Sequence, residues 1–168
     1  QGRGDRSPGH RNPRTGGMKL YNTLSGKTET FSPSSDTVKM YVCGITPYAT
    51  SHVGHALKAV VFDVLRRYLE FRGHKVKYVE NFTDIDDKMI QAAAKLGVPT
   101  RQLAEDNIAV YLAEMDALNV LRAHNYPRAT EEIPKMLEII GALVEHGIAY
   151  VADGDVYFRV RERKDYGK

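Results

Sequence analysis

The chain predicts an α/β fold, a parallel sheet with flanking helices, on three observations. Residues 39–42 (Lys-Met-Tyr-Val) form a short, apolar-rich run of extended character. A long apolar helical pattern starts near His52 and runs to about Arg72, where Gly73 ends it. Residues 75–79 (Lys-Val-Lys-Tyr-Val) make a second strand pattern. Strand, helix and strand in such close succession form a right-handed crossover unit. Ligands bind these units at the carboxyl ends of the strands. Cys43 and Asn81-Phe82-Thr83 both fall at such ends, so they are expected to face one pocket.

The connection after the first strand, Cys43-Gly44-Ile45-Thr46-Pro47-Tyr48, reads as a loop because Gly and Pro punctuate it. Thr50 or Ser51 is the expected cap of the first long helix. Val60, Val61, Val64, Leu65, Leu69 and Phe71 give that helix the broad apolar face of a helix lying on a sheet. A second helix is expected over residues 88–96. Thr100, following Pro99, is the expected cap of a third, with Leu103, Ile108, Leu112, Met115 and Leu118 inward. Thr130 is the expected cap of a fourth, with Ile133, Met136, Leu137, Ile140 and Val144 on one side and Gly147 at its end. Stripes at helical spacing read as core. Residues 155–160 alternate enough for a strand, with Asp155 as a turn residue before it.

The chemistry concentrates at His52-Val53-Gly54-His55. At this spacing both imidazoles fall on one face of the helix. The helix N-terminus beneath them offers unpaired N–H groups and partial positive charge, which together suit a polyphosphate. Gly54 allows a ring or a phosphate close to the backbone. The acidic run Asp84, Asp86, Asp87 has two readings. It could bind Mg²⁺, but capping of the helix that follows is favoured, because acids suit a first turn.

Cys43-Gly44-Ile45-Thr46, His52-Val53-Gly54-His55 and Asn81-Phe82-Thr83-Asp84-Ile85-Asp86-Asp87-Lys88 resemble cysteinyl-tRNA synthetases, which are class I aminoacyl-tRNA synthetases. The likeness continues through residues 116–121, 127–130, 154–158 and 165–168. It implies the first half of a Rossmann-like catalytic fold over residues 18–120 and the start of a connective insertion over 121–168. The Lys-Met-Ser-Lys-Ser-like loop and the anticodon-binding domain of such enzymes do not occur in these residues. The implied activity therefore belongs to a longer parent, and the chain alone is expected to be inactive.

The resemblance implies a parent that uses ATP, with Mg²⁺, to convert L-cysteine to cysteinyl-adenylate and then passes the cysteinyl group to tRNA(Cys). His52 and His55 would be the catalytic pair. Gly44, Ile45, Thr46, Gly54, Lys58, Asn81, Phe82 and Thr83 would line the adenylate. Cys43 would be one of four Zn²⁺ ligands, the metal taking the substrate thiolate; zinc prefers soft sulfur and lowers a thiol's pKa. Three positions depart from the family pattern. Ala49 stands where Asp is usual after Tyr48, and Leu57 and Lys58 replace an Arg and a small hydroxyl residue. Lys58 brings a cation to the adenylate, as a point charge and not a fork.

Composition narrows the class. A single cysteine excludes an intrachain disulfide and suits a cytoplasmic setting. No window approaches the length of a membrane span. The formal charge of +3 lies wholly in residues 1–17, where four arginines face one aspartate. The rest is neutral and argues for no basic surface, so neither DNA nor a membrane is an expected partner. That Gly-, Pro- and Arg-rich tail is expected to be disordered, upstream of a natural start at Met18. Without the strands of a second half, the sheet should leave an edge and an apolar face exposed. Two other readings remain open. One is a mycothiol ligase, which makes the same adenylate but passes cysteine to an amino-sugar inositol. The other is a non-catalytic nucleotide-binding truncated paralogue.

Overall fold

The computed structural model describes residues 17–167, and the expectation of a disordered tail falls on residues outside them, Gly17 excepted. In chain order the elements are β1 (Lys19–Asn22), β2 (Lys27–Thr30), β3 (Thr37–Ile45), α1 (Val53–Phe71), β4 (Lys75–Phe82), α2 (Asp87–Leu96), α3 (Thr100–Ala117), α4 (Ile133–Glu145), β5 (Ala149–Ala152) and β6 (Asp155–Phe158). Single 3₁₀ turns occupy Ala129–Glu131 and Val160–Glu162.

β3 and β4 pair in parallel, from Thr37↔Lys75 to Val42↔Glu80 and again at Ile45↔Phe82. α1 is the crossover between them, as the sequence pattern requires. On β4, residues Val76, Tyr78, Glu80 and Phe82 alternate inward and are all buried. The other edge of β4 is not bare. Glu80 N donates to Asn125 O at 3.1 Å, Phe82 N donates to Pro127 O at 2.9 Å, and His124 N donates to Tyr78 O at 2.9 Å. The segment after α3 therefore runs along β4 in parallel, with bridges Val79↔Asn125 and Phe82↔Arg128.

Three apolar clusters hold these parts together. Ile45, Ala59, Phe82, Ile108, Tyr111 and Met115 join the sheet, α1 and α3. Val38, Val42, Leu69, Val76 and Tyr78 fill the amino half of the sheet. Met89, Ala93, Leu103 and Ala104 join α2 to α3. The antiparallel hairpins β1–β2 and β5–β6 are additions that the sequence pattern did not flag, apart from β6.

Several local expectations need correction. Cys43, Gly44 and Ile45 belong to β3, not to a loop, because Gly44 N is taken up by Asn81 Oδ1 and Thr83 N reaches Ile45 O. α1 is capped by His52 and not by Thr50 or Ser51. On α1, Leu69 is buried, but Val60, Val61, Val64 and Phe71 are exposed, so the broad apolar face covers the sheet only in part. Thr100 lies inside α3, with Pro99 at the cap position and no side-chain cap bond. Leu118 is exposed, whereas Tyr111 and Ala104, absent from the expected stripe, are buried. Thr130 sits in a 3₁₀ turn ahead of α4, where it is held by Asp84. α4 buries none of its residues, so its apolar stripe is not core among the described residues.

Candidate active site

The carboxyl ends of β3 and β4 and the first turn of α1 meet in one region, which the backbone arranges as follows. Past Val42↔Glu80 the β3–β4 register breaks. The break brings Gly44 so close to β4 that a Cβ there would lie 1.5 Å from Asn81 O. Only glycine fits that approach. Asn81 Oδ1 accepts from Gly44 N at 2.9 Å, and its amide donates to Thr83 Oγ1 at 3.3 Å. Asn81 thus ties the two strand ends together. The loop beyond is pinned by Asn107 of α3, whose Nδ2 donates to Pro47 O at 2.9 Å.

The two motif histidines form the cap of α1. His52 Nδ1 accepts from Gly54 N at 3.1 Å, and His55 Nδ1 accepts from His52 N at 3.3 Å. Their rings stack with centroids 3.9 Å apart. With Nδ1 accepting in each ring, Nε2 is the position left to carry the ring N–H. Burial first, then the neighbouring His52 and Lys58, hold the His55 imidazole below its ordinary value, with Glu114 opposing. Gly54 suits the cap: a Cβ there would come within 2.9 Å of the His52 ring, which would have to shift. The open approach expected at Gly54 is therefore filled by His52.

Behind this front lies a buried carboxylate that the sequence reading did not single out. Glu80 is 4% exposed. Its Oε1 accepts from Lys58 Nζ at 2.6 Å and from the Tyr111 hydroxyl at 2.9 Å. Lys58 also donates to Cys43 O at 3.0 Å. Burial, and then the Glu80 charge, raise the Tyr111 phenol, which stays a donor. A signal existed in the sequence: an acid at an inward position of an otherwise apolar strand must find a partner.

The residue model for the class I (C) tRNA synthetase catalytic domain matches residues 30–168. The chain belongs to that family. Among curated relatives, a cysteine–tRNA ligase of Dehalococcoides mccartyi (strain BAV1) is 55% identical over 152 residues, covering 90% of this chain and 33% of the relative. A cysteine–tRNA ligase of Archaeoglobus fulgidus is 53% identical over 153 residues, with 90% and 33% covered. The chain thus spans about a third of the length of the curated relatives it matches. Among solved structures, methionyl-tRNA synthetase of Mycobacterium tuberculosis in complex with methionyl-adenylate superposes with a TM-score of 0.58 at 23% identity, covering 72% of this chain and 29% of that one. At that identity the likeness shows the fold: the α/β catalytic fold of class I synthetases.

Set in that fold, the expected site residues divide. Gly44, Asn81 and Thr83 are joined at the strand ends, His52 and His55 pair at the start of α1, and Lys58 of α1 ties that helix to the Cys43 carbonyl and Glu80. Thr46 is half-buried in the same loop. Ile45 and Phe82 lie deeper, at 5% and 1% exposure, and pack in the core, Phe82 against the rings of Tyr126 and Tyr111. Both side chains are buried against neighbouring apolar groups. Lys58 points inward to Glu80 and the Cys43 carbonyl. The acids read as caps also divide: Asp86 caps α2 through Met89 N at 2.8 Å, while buried Asp84 accepts from Thr130 N and Oγ1. A cavity of about 450 Å³ lined by Asp84, Thr100, Arg101, Glu105, Arg128 and Thr130 contains none of the expected site residues, although Asp84, Arg128 and Thr130 belong to stretches that carry the family resemblance. Its Arg128 and Glu105 are paired with each other, as are its Asp84 and Thr130.

Cys43 carries a free, exposed thiol. Among the described residues no group of three or more His, Cys, Asp or Glu side chains is gathered to hold a metal ion. One thiolate does not make a tetrahedral zinc site, so these residues by themselves do not fit zinc. No described helix is long and apolar enough to cross a membrane.

Proposed function

We propose that this chain carries the first half of the catalytic site of a cytoplasmic cysteine–tRNA ligase. In that reaction the cysteine carboxylate attacks the α-phosphorus of ATP, supplied with Mg²⁺. A carboxyl–phosphorus bond forms, the bond to the β-phosphate oxygen breaks, and pyrophosphate leaves. The cysteinyl group then moves from the adenylate to a ribose hydroxyl of tRNA(Cys), releasing AMP.

The observation that carries the reading is the histidine pair at the helix N-terminus, in which both Nδ1 atoms accept backbone N–H groups. Because both Nδ1 atoms accept backbone N–H groups, both Nε2–H groups are left as donors to phosphate oxygens. Charge that builds on those oxygens is stabilised by donors already in place, which need not reorganise during reaction. Asn81 and Gly44 hold the strand ends that would receive the aminoacyl part. Relatives at 55% and 53% identity named cysteine–tRNA ligase support cysteine as the amino acid.

The test is ATP–pyrophosphate exchange by the complete gene product that carries these residues, with cysteine and then serine. Exchange with cysteine alone, followed by transfer to tRNA and not to an amino-sugar inositol, is the expected result. Absence of exchange with cysteine would favour a nucleotide-binding paralogue without catalysis. The 168-residue chain by itself is expected to give no exchange.

A further inference from the structure

We infer that Glu80 is a positioning residue for the Cys43 end of β3, acting through Lys58. The inference rests on the proposed site, because it concerns the strand end that would receive the amino acid.

The geometry is a chain of short contacts. Tyr111 of α3 donates to Glu80 Oε1 at 2.9 Å and so fixes the carboxylate from below. The same oxygen holds Lys58 Nζ at 2.6 Å, and Nζ donates to Cys43 O at 3.0 Å. Glu80 is buried and Lys58 is partly exposed, with side-chain accessibilities of 5% and 23%. Opposite this tether, Gly44 N is held by Asn81 Oδ1. The peptide between Cys43 and Gly44 is therefore gripped at both its carbonyl and its N–H. A peptide held at both ends cannot rotate, and the Cα–Cβ direction of Cys43 is set with it.

Removing either member of the Lys58–Glu80 pair releases the Cys43 carbonyl. Glu80→Gln keeps an oxygen for Tyr111 and leaves Lys58 without its anion. Lys58→Met removes the donor itself. These two substitutions change the local charge in opposite senses, which separates tethering from simple electrostatics.

Cys43 is the only cysteine in the chain, so the rate of its modification by a neutral alkylating reagent reports on that residue alone. In the 168-residue chain, both Glu80→Gln and Lys58→Met are expected to move this rate in the same direction, by about threefold or more. The double variant should go no further than either single one, and Glu80→Asp, which keeps the carboxylate, should stay within about twofold of the parent rate. Rates moving in opposite directions, or not moving, overturn the inference. In the complete gene product, Glu80→Gln is expected to raise the KM for cysteine by about fivefold while the KM for ATP stays within about twofold. Equal changes in both constants would also overturn it. If the unaltered gene product shows no cysteine-dependent exchange, the proposed function fails, while the thiol measurement still decides whether Glu80 positions Cys43.

Discussion

His52 and His55 close the first turn of α1 on each other: each ring accepts a backbone N–H of the motif, and the rings stack 3.9 Å apart. The motif is thus a capping box built from histidines. One pair of side chains starts the helix and leaves both Nε2 positions outside the cap bonds.

The two duties of His52 can be separated. His52→Ala should cost about 1 kcal/mol of stability through loss of the cap. His52→Asn supplies a good cap oxygen and should keep most of that stability, yet lose exchange activity in the complete gene product. Urea denaturation and pyrophosphate exchange measure the two effects. Full activity in His52→Asn would show that the His52 imidazole is not needed for chemistry.

The cap should weaken in acid. Burial chiefly, and then His52 and Lys58, lower the His55 value in the folded chain, so the unfolded chain takes up a proton at higher pH than the folded one. The contribution is fully present above the unfolded value of about 6.5 and is lost as pH falls through the lower folded value. The difference in urea midpoint between the parent and His55→Ala should therefore be largest near neutrality and shrink on acidification. A gap that widens in acid would contradict the neutral tautomer.

Gly44→Ala places a methyl group where Asn81 O already stands, 1.5 Å away. The strand ends must separate, and the bond from Gly44 N to Asn81 Oδ1 goes with them. The expected loss is roughly 3 kcal/mol, read by equilibrium denaturation. A near-neutral effect would mean that β3 and β4 do not approach this closely.

Phe82 is a core residue in this structure, stacked on Tyr126 and edge-on to Tyr111. Phe82→Ala should cost about 3–5 kcal/mol, whereas Phe82→Leu should cost much less and leave substrate constants nearly unchanged. A large rise in the KM for ATP or cysteine in a stable Phe82→Leu protein would restore it to the binding surface.

Much of the site was legible in the sequence because its markers are local. His52 and His55 share a helical face by spacing alone, and Gly73 and Gly147 stop their helices at residues that take positive φ. Period-2 and helical patterning located β3, α1, β4 and α3 within a few residues. What was not legible depends on a neighbour far along the chain. Glu80 has its partners far along the chain, Tyr111 31 residues away and Lys58 22 residues away, so the sequence could signal the need for a partner without naming it. Lys58 reads as a cation for a phosphate until its partner on β4 is seen. Thr50, Ser51 and Thr100 are good caps by composition, but which residue caps depends on where the chain enters the helix.

The sequence by itself determined the crossover unit, the histidine motif at the helix start and the family resemblance, since each is assembled from short local patterns that can be read one stretch at a time. Only the tertiary structure decided that Cys43 and Gly44 extend β3, that Phe82 is core, and that Lys58 serves Glu80 and the Cys43 carbonyl. Those outcomes are set by which strand lies beside which at contact distance, a relation between distant segments that local propensity does not encode.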